Sequence, residues 1–532
     1  MSARYEELIR SFRWSLPERL NIGVACVDAH ATGAGKPALI FVEEDGALAT
    51  YSFEDLARLT NRFANVLGAA GLVRGDRIGV FLPQAPETAI AHLAAFKAGL
   101  VSVPLFTLFG DEALEYRLTA SGAKALVTDL SGLAKLARVR DRLPHLTHVF
   151  VTGRDAGGAL SFDAELARAS DRFAPVDTGP DDPAIIIFTS GTTGNPKGAL
   201  HGHRILLGHL PCITFIHEGM PQPGDLHWTP ADWAWIGGLF DVLFPTLYLG
   251  VPVLAHRARK FEPDAAMDLM ARHGVRNVFL PPTALKLLRQ ADVRHDGLKL
   301  RSLLTGGESL GAELGAFVQD RLGVEAREIY GQTECNLVVG SSSSYFPIRP
   351  GAMGKPIPGH DVRIVDDHGT ELPTGAEGHI GIRRGDPVMM LEYWQNPRAT
   401  ADKFAGDFLL TGDLGRQDED GYLWYVSRSD DVITSAGYRI GPGEIEDCIL
   451  RHPAVALVAV VGVPDPVRTE AIKAWVVLKP GHAGSEALVA DIQAHVRERL
   501  SAHEYPRHVA FTDTLPMTAT GKILRRDLRA RG

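Results

Sequence analysis

The stretch Ile185 to His203, reading IIIFTSGTTGNPKGALHGH, governs how the rest of this chain is read. An apolar run with the look of a buried strand (Ile185, Ile186, Ile187, Phe188) stops at a loop of Thr, Ser and Gly. Thr189, Ser190, Thr192 and Thr193 bring hydroxyl donors, Gly191, Gly194 and Gly198 let the backbone turn its amides inward, and Lys197 adds a cation. Exposed amides, hydroxyls and an ammonium directly after a strand suit a polyphosphate. The loop is not a Walker A motif, which needs Gly-Lys-Ser/Thr; here Pro196 precedes Lys197 and Gly198 follows it.

Strand-like and helical runs alternate around this stretch up to about Gly340. Asp76 to Leu82 reads as a strand, Thr88 to Ala98 as a helix and Val101 to Pro104 as a strand. Lys124 to Thr128, Val149 to Thr152 and Asn277 to Leu280 also have strand character. Such alternation predicts an α/β fold with largely parallel sheets. From Gly351 to Tyr425 short strands and Gly/Asp/Pro turns suit a small β-rich subdomain. A new texture begins near Ser429. Two short strands over 431–440, a helix from Glu444 to Arg451, β-rich runs over 455–463 and 471–478, and a helix over 485–500 predict a compact α+β domain.

With 532 residues the chain exceeds what one core usually supports, so two or more domains are expected. A formal charge of −9 leaves no basic field for nucleic acid. Cys26, Cys212, Cys335 and Cys448 lie far apart without a CxxC pair, which argues against a zinc site or disulfide framework. The N-terminus lacks the apolar core of a signal peptide. Asp241, Pro245 and Pro252 interrupt the longest apolar run, Leu239 to Ala255, so no membrane insertion is expected. These features point to a cytoplasmic protein; oligomeric state stays open, a homodimer included.

The run TSGTTGNPKG resembles the phosphate loop of the adenylate-forming superfamily, which includes acyl-CoA synthetases, peptide-synthetase adenylation domains and luciferases. Further motifs fall in that superfamily's order over nearly the whole chain. The resemblance implies a large N-terminal domain over 1–427 with the ATP and acyl sites. It also implies a hinge at 428–430, with Asp430 as pivot, and a mobile small domain over 431–532. TGGESL (Thr305 to Leu310) would set Gly307, Glu308 and Ser309 beside adenine. EIYGQTE (Glu328 to Glu334) would stack Tyr330 on adenine, with Glu328, Gly331 and Gln332 around it, bring Thr333 to the α-phosphate and give Glu334 to Mg²⁺. Asp413 in LTGDL and Arg428 resemble the ribose contacts. Arg439 would meet phosphate, and Lys522 in TATGKIL would bridge the substrate carboxylate and the α-phosphate.

These parts imply ATP-driven activation of a carboxylic acid and transfer to coenzyme A. Ala436, Gly437 and Tyr438 would line the pantetheine tunnel, while Arg468, Arg497, Tyr505 and Arg507 resemble contacts to the CoA nucleotide. The small domain is most similar to medium-chain acyl-CoA synthetases and their acetyl-CoA synthetase relatives. The acyl pocket is expected at Trp233, Trp235, Ile236, Gly237, Gly306 and Gly331. Acetyl-CoA synthetases close that pocket with a tryptophan where this chain has Gly331. Loss of bulk at 237, 306 and 331 is therefore expected to open room for a short-to-medium, branched or aromatic acid, and an indole at 331 to favour acetate. Two other readings stay open: an adenylating enzyme with a different acceptor, such as a carrier protein or an oxidation step, and an inactive nucleotide-binding regulator.

Overall fold

The computed structural model describes residues 3–43, 45–153, 159–189, 195–258, 260–308, 310–429, 431–435, 438–466, 468–500, 505–517 and 523–531. At 3, 434, 438, 439 and 444 it describes the backbone alone. Short apolar runs form strands where the sequence predicts them, with ends shifted by a residue or so: Arg77–Phe81, Val101–Pro104, Ala125–Thr128, His148–Val151 and Asn277–Phe279. Helices begin where capping chemistry permits. Ser52 caps Phe53–Ala69 by accepting from the Asp55 amide, while the Asp55 side chain accepts from the Ser52 amide. The same helix turns Phe53, Leu56, Phe63, Ala64 and Leu67 into the core at three- and four-residue spacing.

Two large sheets and one small one result. The eight-stranded sheet runs Glu392–Tyr393, Lys197–Gly202, Pro183–Thr189, Val101–Pro104, Arg77–Phe81, Ala125–Thr128, His148–Val151, Leu160–Ser161. It is parallel from Pro183–Thr189 outward, and antiparallel on the Lys197 side. The second sheet has a parallel ladder through Pro37–Val42, Val253–His256, His227–Trp228, Asn277–Phe279, Ser302–Gly306 and Ala326–Gln332.

The β-rich segment continues the second sheet. Cys335–Gly340 folds back antiparallel on Ala326–Gln332 and is buried throughout, so its free edge needs a partner. Ala352–Pro356 supplies one and passes the ladder on to Leu423–Arg428, Phe408–Gln417, Glu377–Arg383 and Val362–Val365. The sheet therefore reaches fourteen strands. Its mid-point, the turn between Gln332 and Cys335, carries two of the residues singled out above.

The last hundred residues build a five-stranded sheet from Tyr438–Ile440, Ile433–Ser435, Thr469–Leu478, Val455–Asp465 and His508–Phe511. Ile445, Cys448 and Ile449 of the helix Pro442–Leu450 and Ile492 and Val496 of Glu486–Arg499 pack onto Ile433, Val458, Val460 and Ile472. This is the α+β unit the sequence predicts, with a core of its own. Among the described residues no helix is long and apolar enough to cross a membrane.

Candidate active site

The Gln332–Cys335 turn places Thr333 and Glu334 between the two large sheets, and both sheets hold it. From the eight-stranded sheet, His201 sets Nε2 2.8 Å from the Thr333 carbonyl. Burial holds this histidine at a pKa of about 3, so the imidazole is neutral and donates from Nε2. The Met390 amide donates to the Glu334 carbonyl at 2.8 Å, and the Tyr393 hydroxyl donates to Glu334 Oε1 at 2.5 Å. Tyr393 pairs with Ala199 in the strand that begins at Lys197, and Lys197 Nζ lies 5.3 Å from the Tyr393 ring centre. Lysine, tyrosine and glutamate thus form one row running from Lys197, beside the expected phosphate loop, to the turn. Tyr116 supports that flank by donating to the Pro196 carbonyl at 2.9 Å.

On the other side Asp413 and Arg428 face each other in register, with Arg428 donating to Asp413 Oδ1 at 3.1 Å. The Tyr330 hydroxyl donates to Asp413 Oδ2 at 2.6 Å, which ties the expected adenine-stacking ring to the expected ribose acceptor. Burial and the Asp413 carboxylate raise the Tyr330 phenol, so it remains a donor. Each Asp413 oxygen keeps a lone pair for a sugar hydroxyl. Gln332 donates to the Thr411 carbonyl at 2.8 Å, and Lys403 donates to Gln332 Oε1 and to the same carbonyl, both at 3.0 Å.

In the loop after Ser302–Gly306, Gly307 adopts φ +95°, a left-handed conformation that suits glycine. Glu308 turns to Lys286 in a 2.9 Å ion pair. Glu328 lies behind the loop and meets the Leu310 amide at 3.4 Å; burial raises its pKa to about 7. Glu334 is 7% exposed, and its Oε2 makes no hydrogen bond among the described residues. No cluster of three His, Cys, Asp or Glu suited to a metal occurs among those residues. A single carboxylate with a spare oxygen fits Mg²⁺ that takes its other ligands from phosphate and water.

Two of the three expected pocket glycines, Gly331 and Gly306, leave no open space. A Cβ on Gly331 would stand 2.4 Å from the Leu337 nitrogen and 2.8 Å from the Asn336 Cα. One on Gly306 would meet Ile329 at 2.5 Å, and one on Gly237 would meet Phe279 at 3.0 Å. At 331 and 306 the space is already filled by neighbouring strands, so small size there serves close packing, whereas at 237 it is bordered only by side chains, the Phe279 ring and Asp241 Oδ2 at 3.3 Å. Gly331→Ala is accordingly expected to strain the hairpin by about 1–3 kcal/mol, read as a lower Tm and a slower acid-dependent release of pyrophosphate. An unchanged Tm would contradict it. Gly331→Trp should disrupt the hairpin rather than shorten the acid accepted.

Trp233 is 1% exposed and belongs to the core, whereas Trp235 is half-buried and packs on Phe106 and Phe109 with ring centres 5.3 and 6.1 Å away. Ile236 packs at the edge of the same core. In the small unit, the Arg497 and Arg507 guanidinium groups each lie over the Tyr505 ring, at 4.3 and 4.5 Å from its centre. Arg468 sits in the turn before Thr469–Leu478, 3.6 Å from Asp465. Thr189 ends its strand beside Lys197. Ser190, Gly191, Thr192, Thr193, Gly194, Ser309, Asp430, Ala436, Gly437 and Lys522 lie outside the described residues, as do the side chains of Tyr438 and Arg439.

The Thr333–Glu334 turn, the Asp413–Arg428 pair and Lys197 thus stand on two large α/β sheets, with a small α+β unit following. Residues 27–394 match the family model of AMP-binding enzymes, and residues 444–522 match that of the AMP-binding enzyme C-terminal domain. The chain belongs to the AMP-binding enzyme family. It is 38% identical to acyl-coenzyme A synthetase ACSM4, mitochondrial, of Rattus norvegicus, over 93% of this chain and 86% of that protein. It is 36% identical to the Homo sapiens protein of that name, over 99% and 93%. Among solved structures, an anthranilate CoA ligase, AuaEII, in complex with anthranoyl-AMP superposes with a TM-score of 0.87 at 28% identity, covering 97% of this chain and 98% of that one. ATP-bound MatB from Rhodopseudomonas palustris gives 0.86 at 30% identity, over 96% and 98%.

Proposed function

We propose that this chain joins a carboxylic acid to coenzyme A by way of an acyl adenylate, and that the residues gathered at the Thr333–Glu334 turn carry the first step. The observation behind this is the convergence on one turn of the Lys197–Tyr393 row and the Tyr330–Asp413–Arg428 group. The chain is an AMP-forming acid–CoA ligase that uses ATP, Mg²⁺ and CoA.

In the first step a carboxylate oxygen of the acid bonds to the α-phosphorus as the bond to the β-phosphate breaks and pyrophosphate leaves. Two anions must approach, so cationic and donor groups are required where charge gathers. Lys197 and the hydroxyls and amides of 189–194 hold the β- and γ-phosphates, and Thr333 meets the α-phosphate. Asp413 and Arg428 orient the ribose, and Lys522 and Arg439 bring positive charge to the reacting oxygens. Glu334 would hold Mg²⁺, which would supply positive charge against the phosphates. In the second step the CoA thiolate bonds to the acyl carbon and AMP leaves.

The domain reading supports such a sequence: 1–427 as the adenylating part, 428–430 as the hinge around Asp430, and 431–532 as the part that exchanges Lys522 for the Gly437 face. Arg497, Tyr505 and Arg507 form a stacked cationic group suited to the CoA nucleotide, with Arg468 as a further contact. The acid is short to medium, branched or aromatic rather than acetate, since the aromatic edge of Trp235, Phe106 and Phe109 offers apolar area that acetate cannot use. Four buried, unpaired cysteines suit a reducing cytoplasmic setting; the mammalian relatives carry the word mitochondrial in their names. A pyrophosphate-release screen over acids of different length and shape, with and without CoA, tests the reading. Acid-dependent release, with AMP and a thioester accumulating only when CoA is added, is expected. ATP binding without release would overturn it.

A further inference from the structure

We propose that Asp241 and Asn336 form a polar receptor in the wall of the acyl pocket, selecting acids that carry a hydroxyl or similar uncharged hydrogen-bonding substituent. This rests on the ligase reading above and names the substrate class of the same site.

The helix that begins at the expected pocket residues Trp235 to Gly237 is wound as a π-helix over Gly237–Leu243, a distortion often found at functional sites. One turn after Gly237 it places Asp241, which is 2% exposed. The position where a Gly237 side chain would begin lies 3.3 Å from Asp241 Oδ2 and 3.0 Å from the Phe279 ring. The carboxyl and the aromatic edge therefore share one side of the helix with Gly237. Asp241 is linked to the reacting end as well. Its Oδ1 accepts from the Asn336 amide at 2.6 Å, and the Asn336 backbone packs against Gly331, two residues before Thr333.

The hydrogen bonds of this cluster leave one position open. His209 has Nδ1 2.7 Å from the Ile205 carbonyl, so Nδ1 carries the proton and Nε2 is an acceptor. The Asn336 amide lies 3.1 Å from that Nε2 and 2.6 Å from Asp241 Oδ1. Its two protons are thereby spent. Asp241 Oδ2 makes no hydrogen bond among the described residues. Burial raises the Asp241 carboxyl, which favours the neutral acid, and burial lowers His209 to about 4, which keeps it neutral. With Oδ1 accepting, the acid proton belongs on Oδ2, beside Gly237 and Phe279. Buried hydroxyl groups are rarely left unpaired. A hydroxyl on the substrate, able to accept from this O–H, completes the set, while a plain alkyl or phenyl group leaves it unmatched. Phe279 beside it suits a ring.

The test compares kcat/KM for acid-dependent pyrophosphate release with benzoate against its three monohydroxy isomers, and hexanoate against hydroxyhexanoates. It uses the full-length wild type, Asp241→Leu and Asp241→Asn, with KM for ATP measured in each. At least one hydroxylated acid should exceed its parent by about tenfold or more in the wild type. Asp241→Leu should bring that ratio to about one or below with KM for ATP unchanged. Asp241→Asn, which keeps the shape and a donor, should retain part of the preference and serves if the leucine variant does not fold. Equal use of parent and hydroxylated acids by the wild type, or a ratio unmoved in both variants, would overturn the receptor while leaving the ligase reading intact. Failure of every acid to release pyrophosphate would overturn both.

Discussion

Lys522→Ala is expected to slow adenylation by about two to three orders of magnitude, the usual cost of removing one group that stabilises developing charge. Thioester formation from supplied acyl adenylate and CoA should be nearly unchanged. The asymmetry follows from the chemistry: only the first step brings the acid's carboxylate against a phosphate, and only there is a bridging cation needed. The segments around Lys522 are well anchored. Met517 and Ile523 form an antiparallel bridge, and Arg525 donates to Glu446 at 2.7 Å and to Asp431 at 3.2 Å. Loss of one ammonium between such anchors should leave the small unit folded, so the two half-reactions can be compared in the same preparation. Equal slowing of both would mean that Lys522 serves one geometry common to the two steps.

Glu334→Ala should produce a loss of similar size, about two to three orders of magnitude in adenylation, together with a higher Mg²⁺ requirement. It should also lower stability by about 1–3 kcal/mol, because the Tyr393 hydroxyl would remain buried without its acceptor. Tyr393→Phe separates the two contributions: it removes the tie and keeps the carboxylate. Its rate should fall far less, with the Mg²⁺ requirement near that of the wild type. Were Glu334→Ala to keep the wild-type Mg²⁺ dependence, Glu334 would not be the metal ligand.

Much of this arrangement was legible in the sequence, for identifiable reasons. Parallel strands buried on both faces leave unbroken apolar runs such as Ile185 to Phe188, and the first residue past such a run is where a loop can meet a ligand. Asp413 and Arg428, fifteen residues apart, resembled a ribose pair and stand in register on neighbouring strands. What escaped was long-range pairing and the buried polar groups it creates. Tyr393 reaches Glu334 because its two-residue strand adds to the Lys197 edge, and nothing local in Glu392–Tyr393 signals that. Lys403 looks like one more surface charge until the fold sets it beside Gln332. His201 and Asn336 sat inside or next to the quoted motifs, yet their partners come from distant segments. Gly331 and Gly306 misled most: their missing side chains were taken as open space, whereas the backbone of the Asn336–Leu337 segment and Ile329 fill it.

Transfer of oxygen from the acid to AMP tests the central claim most directly. An acid accepted by the enzyme is labelled with oxygen-18 in its carboxylate and turned over with ATP, Mg²⁺ and CoA, and the AMP and pyrophosphate are examined by mass spectrometry. Attack of the carboxylate on the α-phosphorus requires one labelled oxygen in AMP and none in pyrophosphate. Label in pyrophosphate, or AMP free of label while thioester accumulates, would contradict an acyl-adenylate route.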